Sequence, residues 1–302
     1  MRVTLRLVLG FGRALPVGLV GLAAASFTSA NGVHNAGITW ASGDEIRGAN
    51  VDGRGRYVLV PLIADGEGDP AWTRDGHAFA FFGQNSDNVE IHVRWPGTHR
   101  ERVLRSDYRS PARPRRAWAY ILEPTWSADA TRIAVSDSWN DSSATIRIVS
   151  VTTSKWTSVT KPRHNVEDID PAWSPDGRTI AFARRPNGGT PTVYLVHPDG
   201  SALRRLAKGR SPSWSPDGKR LAFVLGGSVY EIRTDGGARK RIVRSLRNPV
   251  VRWSPDGQKL LYTSTSAYAS RGDVWTADVD GTRRRRILHR VTIVSIAWRP
   301  GS

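Results

Sequence analysis

The 302-residue chain contains no cysteine. Disulfides, thiolate metal sites and a lipid anchor attached at cysteine are therefore excluded. Acids are scarce: 27 Asp and Glu stand against 44 Lys and Arg, for a formal charge of +17. Such an excess favours anionic partners and opposes self-association, so a monomer is expected. Chemistry-bearing motifs are missing as well. None of the seven histidines stands at a metal-ligand spacing from another or from a fitting acid, so no metal site is expected. There is no Gly-x-Ser-x-Gly elbow and no Walker-type phosphate loop. Gly226-Gly227 and Gly236-Gly237 read as turn glycines, so no cofactor is expected. No second segment of hydrolase length accompanies the repeats that fill the chain.

What is present is a turn that recurs. Asp170-Pro171-Ala172-Trp173-Ser174-Pro175-Asp176-Gly177 runs into the apolar Ile180-Ala181-Phe182-Ala183. Proline presets φ at the second turn position, Asp suits the third, and Gly accepts the positive φ that closes the turn. Related stretches begin at Asp69, Glu123, Ser211 and Arg252, and a fragment, Ala297-Trp298-Arg299-Pro300-Gly301, ends the chain. The repeat tryptophans fall at 72, 126, 173, 214, 253 and 298, in steps of 54, 47, 41, 39 and 45 residues. A period of roughly 40–50 residues rich in short strands indicates a β-propeller with four strands per blade.

These motifs, Pro-x-Trp-Ser-Pro-Asp-Gly before a short apolar strand, resemble those of the TolB-like β-propeller family. The resemblance covers about residues 37–302. It implies an all-β, six-bladed propeller over 31–302 whose members engage partner proteins through the channel face. The motif speaks to fold more than to function, because function lives in sites placed on folds.

The expected organisation follows the repeat. Residues 37–42, 45–51 and 54–63 read as the second, third and fourth strands of the first blade. Its first strand is expected from 294–298, so both termini close the ring and loss of the last nine residues should open it. Such closure removes free sheet edges. An inserted loop at about 106–122 carries Arg109, Arg113, Arg115 and Arg116 among Tyr108, Trp118 and Tyr120. It reads as a loop packed on the propeller wall, with base stacking as the rival; no nucleic acid is expected. In the third repeat Ala128 and Ala130 replace the turn proline and glycine. A non-Gly residue at positive φ is costly, so a different turn geometry is expected there.

Residues 1–30 resemble an export signal: Arg2, Arg6 and Arg13, an uncharged run over 14–27, then Thr28-Ser29-Ala30. The alternative is an anchor retained in the membrane, for which the run is short of the ~20 apolar residues a spanning helix needs. Removal takes three Arg and no acid and leaves a charge of +14. An extracytoplasmic, secreted or wall-associated location is expected.

Two groups of residues could carry function. Asp69, Glu123 and Asp170 lie three residues before a repeat Trp, with Asp168 nearby, and should gather at one mouth of the channel. They could meet a cation or a basic peptide, or be a scatter of turn-forming acids. The repeat aspartates Asp75, Asp129, Asp176, Asp217 and Asp256 cap their own turns instead. The fourth strands carry Arg204 and Arg205; Arg239, Lys240 and Arg241; and Arg283, Arg284, Arg285 and Arg286. They either protect sheet edges by charge or form a basic rim for wall polymers or lipid headgroups. The reading is a non-enzymatic binding scaffold for an envelope protein or an anionic surface component, with no catalytic residues. One rival is a polysaccharide hydrolase or lyase using Glu123, Asp168 and Asp170 as acid and base. The other is the sensor domain of a membrane-anchored protein.

Overall fold

The computed structural model describes residues 35–42, 45–61, 67–85, 88–105, 120–140, 143–161, 164–244, 246–265, 271–293 and 295–301. Residues 1–30, expected to be an export signal, and residues 106–119 of the expected inserted loop lie outside them. Every regular element described is a strand.

The strands come in antiparallel fours. First are β1 (Asn35–Ser42), β2 (Glu45–Ala49) and β3 (Tyr57–Val60), then β4 (Glu67–Trp72), β5 (Phe79–Asn85), β6 (Asn88–Arg94) and β7 (Glu101–Arg105). Next are β8 (Tyr120–Trp126), β9 (Arg132–Asn140), β10 (Ser143–Ser150) and β11 (Trp156–Ser158). They are followed by β12 (Val166–Trp173), β13 (Ile180–Pro186), β14 (Thr192–Val196) and β15 (Arg204–Lys208). Then come β16 (Arg210–Trp214), β17 (Arg220–Leu225), β18 (Ser228–Arg233) and β19 (Lys240–Val243). Last are β20 (Val251–Trp253), β21 (Lys259–Thr265), β22 (Arg271–Asp278), β23 (Arg285–Thr292) and β24 (Ser295–Pro300). β24 pairs with β1, placing Trp298 opposite Ile38 and Ile296 opposite Trp40. β8–β15 form one eight-stranded sheet, whose halves are joined by a parallel contact between Ala144 on β10 and Glu167 on β12.

The strands at the heads of these fours touch in sequence: β24 meets β4, β4 meets β8, β8 meets β12, β12 meets β16, β16 meets β20, and β20 meets β24. The core has the same arrangement. Each apolar cluster draws on two neighbouring fours, as where Ile46 and Val60 meet Trp72, Phe79 and Phe81, or Ala134 and Ile148 meet Trp173 and Phe182. The repeat tryptophans wedge these seams. Trp126 donates its indole N–H to Ala71 O at 3.0 Å, Trp214 to Ala172 O at 2.9 Å, and Trp298 to Arg252 O at 3.2 Å. A large apolar body with one polar contact suits a seam where each four must present backbone to the next.

The turn after each Trp is built as its residues dictate. Gly177 N–H donates to Ser174 O at 2.9 Å, and Ser174 Oγ and Arg178 N–H both donate to Asp176 Oδ1. Asp75, Asp129, Asp217 and Asp256 repeat this cap. The third repeat corrects the expectation of a different geometry. Ala130 donates to Ser127 O at 3.0 Å and sits at φ 54°, in the same turn as the glycines. The turn's contacts remain, the Asp129 cap among them, and they hold the alanine in the left-handed region at a local cost of ~1–2 kcal/mol.

Candidate functional site

Pro cannot donate in a strand ladder, so an Asp-Pro or Glu-Pro inside a strand needs a bulge. The inner strands show one at each such place. The register shifts between Gly68 and Ala71, Leu122 and Thr125, Ile169 and Ala172, and Arg210 and Ser213. The residue before each proline takes a left-handed φ: Asp69 at 55°, Glu123 at 59°, Asp170 at 55° and Ser211 at 52°. This kink turns both the side chain and the amide N–H away from the ladder and toward the adjacent inner strand.

The consequence is a chain of contacts from one inner strand to the next. Asp69 N–H donates to Ser295 Oγ at 2.9 Å. Glu123 N–H donates to Asp69 Oδ2 at 3.1 Å. Ser211 N–H donates to Asp170 Oδ2 at 2.7 Å, and Arg252 Nη1 donates to Ser211 Oγ at 3.2 Å. Between the second and third links, the carboxyls of Glu123 and Asp170 adjoin each other. Burial pushes Glu123 well above the usual carboxylate range, and the adjoining Asp170 and Asp69 charges push the same way. Burial also raises Asp69, against the opposing pull of the Ser295 hydroxyl, the Glu123 amide and Arg252. Glu123 Oε2 is buried without a hydrogen-bond partner among the described residues. Asp69, Glu123, Arg252 and Ser295 line an opening of about 280 Å³, with the repeat tryptophans and prolines around it.

Three of the four acids singled out in the sequence thus come together. Asp168 does not join them. Its side chain is fully buried and held by Arg184 from the facing position on β13, Nε to Oδ1 at 2.7 Å and Nη2 to Oδ2 at 2.8 Å. Sequence reasoning missed Ser211, Ser295 and Arg252. The first two were available from their offset, since both stand three residues before a repeat Trp. Among the described residues no group of three or more His, Asp or Glu is placed to hold a metal ion.

The cations of the fourth strands behave differently. Arg204, Arg205, Arg239, Lys240, Arg241, Arg283, Arg284, Arg285 and Arg286 are all exposed. Arg204 Nη2 donates to Thr234 O at 2.6 Å, and Arg284 Nη2 to Ile242 O at 3.3 Å. Those two contacts tie Arg204 and Arg284 to the β16–β19 four that lies between them. Arg283 pairs with Asp278 at 2.8 Å, and Arg286 with Asp273 at 3.4 Å. Arg205, Arg241 and Arg285 have no side-chain hydrogen bond or ion pair among the described residues.

Comparison with known proteins agrees with this architecture. The family model described as the TolB beta propeller domain matches residues 102–297. TolB from Acinetobacter baumannii superposes with a TM-score of 0.71 at 19% identity, covering 87% of this chain and 66% of that one. The chain thus spans just under two thirds of that protein. A putative TolB from Agrobacterium tumefaciens gives 0.63 at 19% identity, covering 83% and 88%. An oligogalacturonate lyase in complex with manganese gives 0.51 at 15% identity, covering 72% and 64%. With its repeat, its all-β sheets and a family match over most of its length, the chain belongs to the TolB β-propeller domain family.

Proposed function

We propose that this protein is an exported, non-enzymatic binding scaffold that recognises an anionic component of the cell envelope through its basic outer strands. In this reading the antiparallel fours are six blades of a closed ring, sealed where β24 joins β1, and the ring acts as a monomer. Residues 1–30 direct export and are removed; a retained anchor would make the same ring a membrane-tethered sensor domain.

The observation that carries the reading is the set of exposed cations on and beside three successive outer strands, β15, β19 and β23. Its arginines are held by backbone carbonyls or left unpaired more often than neutralised by acids. A rigid scaffold presents such a surface with little ordering cost on binding. Long-range attraction between exposed charges is screened at high salt. The test is co-sedimentation of the full chain with vesicles containing an anionic phospholipid and, separately, with a soluble polyanion. Binding at low salt that disappears at high salt, and in the R239Q/K240Q/R241Q variant, supports the proposal. Binding that ignores both overturns it.

A second reading has one specific observation in its favour. The unpartnered Glu123 Oε2 lies in the lining of the channel opening, where a basic segment of an envelope protein could supply the missing donor. Capture of such a protein that is lost in D69N/E123Q/D170N but kept in the outer-strand variant would select it. Use of the same carboxyls for polysaccharide cleavage is the enzymatic rival. Turnover of oligogalacturonate by the purified chain, abolished by E123Q, would establish it.

A further inference from the structure

The connections between second and third strands of the fours differ in length. Those after β1, β5, β9 and β17 span two residues, whereas 187–191 and 266–270 span five. The β16–β19 four is the one with a short connection flanked on both sides by long ones. Its connection is Gly226-Gly227, with φ 54° and 70°, as a two-residue hairpin with both central residues left-handed requires. A cleft of about 510 Å³ lies at this turn. That volume is in the range of small-molecule sites.

Two arginines line the cleft, Arg210 and Arg247, and no acid does. Arg210 is half-buried at the head of β16. The equivalent positions, four residues before the other repeat tryptophans, are Gly68, Leu122, Ile169, Pro249 and Val294. Arg247 is exposed on the connection that leads to β20. Neither guanidinium has a hydrogen-bond or ion-pair partner among the described residues. Arg210 differs in this from the half-buried Arg94, Arg147, Arg184 and Arg220, each of which meets a carboxylate. Partial burial of the Arg210 guanidinium without an acceptor is unfavourable, and Arg247 adds a second positive charge to the same cleft. A planar or tetrahedral oxyanion bound in the cleft would supply the missing acceptor through bidentate, charge-assisted hydrogen bonds.

We propose that this cleft is an anion site, in which Arg210 and Arg247 together hold an oxyanion group of a small ligand or of a polymer end. The group is a phosphate or the carboxylate of a sugar acid. The cleft is distinct from the outer-strand surface, and the inference does not rest on the function assigned to that surface.

The test is calorimetric titration of the full chain at constant ionic strength with inorganic phosphate, glycerol phosphate and galacturonate, with galactose as the neutral control. Saturable one-site binding of a phosphate probe or of galacturonate is expected, and which of them binds identifies the source of the oxyanion. No binding of galactose is expected. R247Q should weaken the binding at least tenfold, and R210Q/R247Q should abolish it. R247Q changes an exposed side chain without a partner, so its thermal melt should match that of the wild type. R239Q/R241Q should leave this binding unchanged while reducing vesicle binding, which separates the two surfaces. Absence of saturable binding to every anionic probe, equal binding in R247Q, or an equal loss in R239Q/R241Q would overturn the proposal.

Discussion

The acids at the heads of the inner strands and the cations on the outer strands are both clusters of like charge, yet the fold uses them in opposite ways. Asp69 and Asp170 each accept the backbone N–H of the next inner strand, and burial beside these two acids pushes Glu123 toward its neutral form. Their charge is spent on joining one inner strand to the next. Arg205, Arg241 and Arg285 point into water with nothing among the described residues to hold them. A count of charges does not separate the two cases; the separation comes from where bulges and strand edges direct the side chains. The inner set is therefore expected to control stability and the outer set to control binding.

The comparison can be broken most severely at the seams between inner strands. Trp126→Ala and Trp298→Ala should each cost about 3–5 kcal/mol, the usual range for truncating a buried Trp, as read by urea denaturation. Losses below ~1 kcal/mol would mean that the seams do not hold the inner strands together. Asp168→Ala comes next, at about 3 kcal/mol. It breaks a pair whose acid is fully buried, but Arg184 keeps some contact with water. A neutral outcome would return Asp168 to the list of acids free for binding.

Titration sharpens the inner half of the comparison. Glu123 has a raised pKa, so its folded state is favoured when protonated. That contribution is full below the unfolded value of about 4.3 and is lost as pH rises through the folded value. Glu123→Gln should therefore gain stability relative to wild type as pH rises from 4 toward neutrality, measured as paired denaturation midpoints. A pH-independent difference would contradict the upward shift of Glu123. Asp176 and Asp217 have the opposite sign. The hydroxyls of Ser174 and Ser215 hold them below the usual range. Their contribution is present above the unfolded value of about 3.9 and is lost as pH falls through the lower folded values. Smaller again is Ala130→Gly, which should stabilise by ~0.5–1 kcal/mol by removing a left-handed alanine. A destabilising result would show that the third repeat has adapted to its alanine.

Much of this was legible in the sequence. The Trp-Ser-Pro-Asp-Gly spacing located the turns and their aspartate caps, and the offset of three before Trp brought Asp69, Glu123 and Asp170 together. Asp168 was misplaced because its partner is set by register: Arg184 faces it across β12 and β13 only on the near side of a bulge that proximity in sequence does not reveal. Ala130 misled because local φ preference was outweighed by the contacts of the whole turn. The proposed anion cleft was not legible because nothing in the sequence shows that Arg210 and Arg247 line one opening.

The account rests most on the division of labour between the two charge clusters. The decisive measurement compares two full-chain variants, D69N/E123Q/D170N and R239Q/K240Q/R241Q, for binding to anionic vesicles at low salt and for thermal unfolding. The account predicts that the outer variant loses binding while its stability stays within about 0.5 kcal/mol of wild type. It predicts that the inner variant keeps its binding and shifts in stability. Loss of vesicle binding in the inner variant with full binding in the outer one would contradict it.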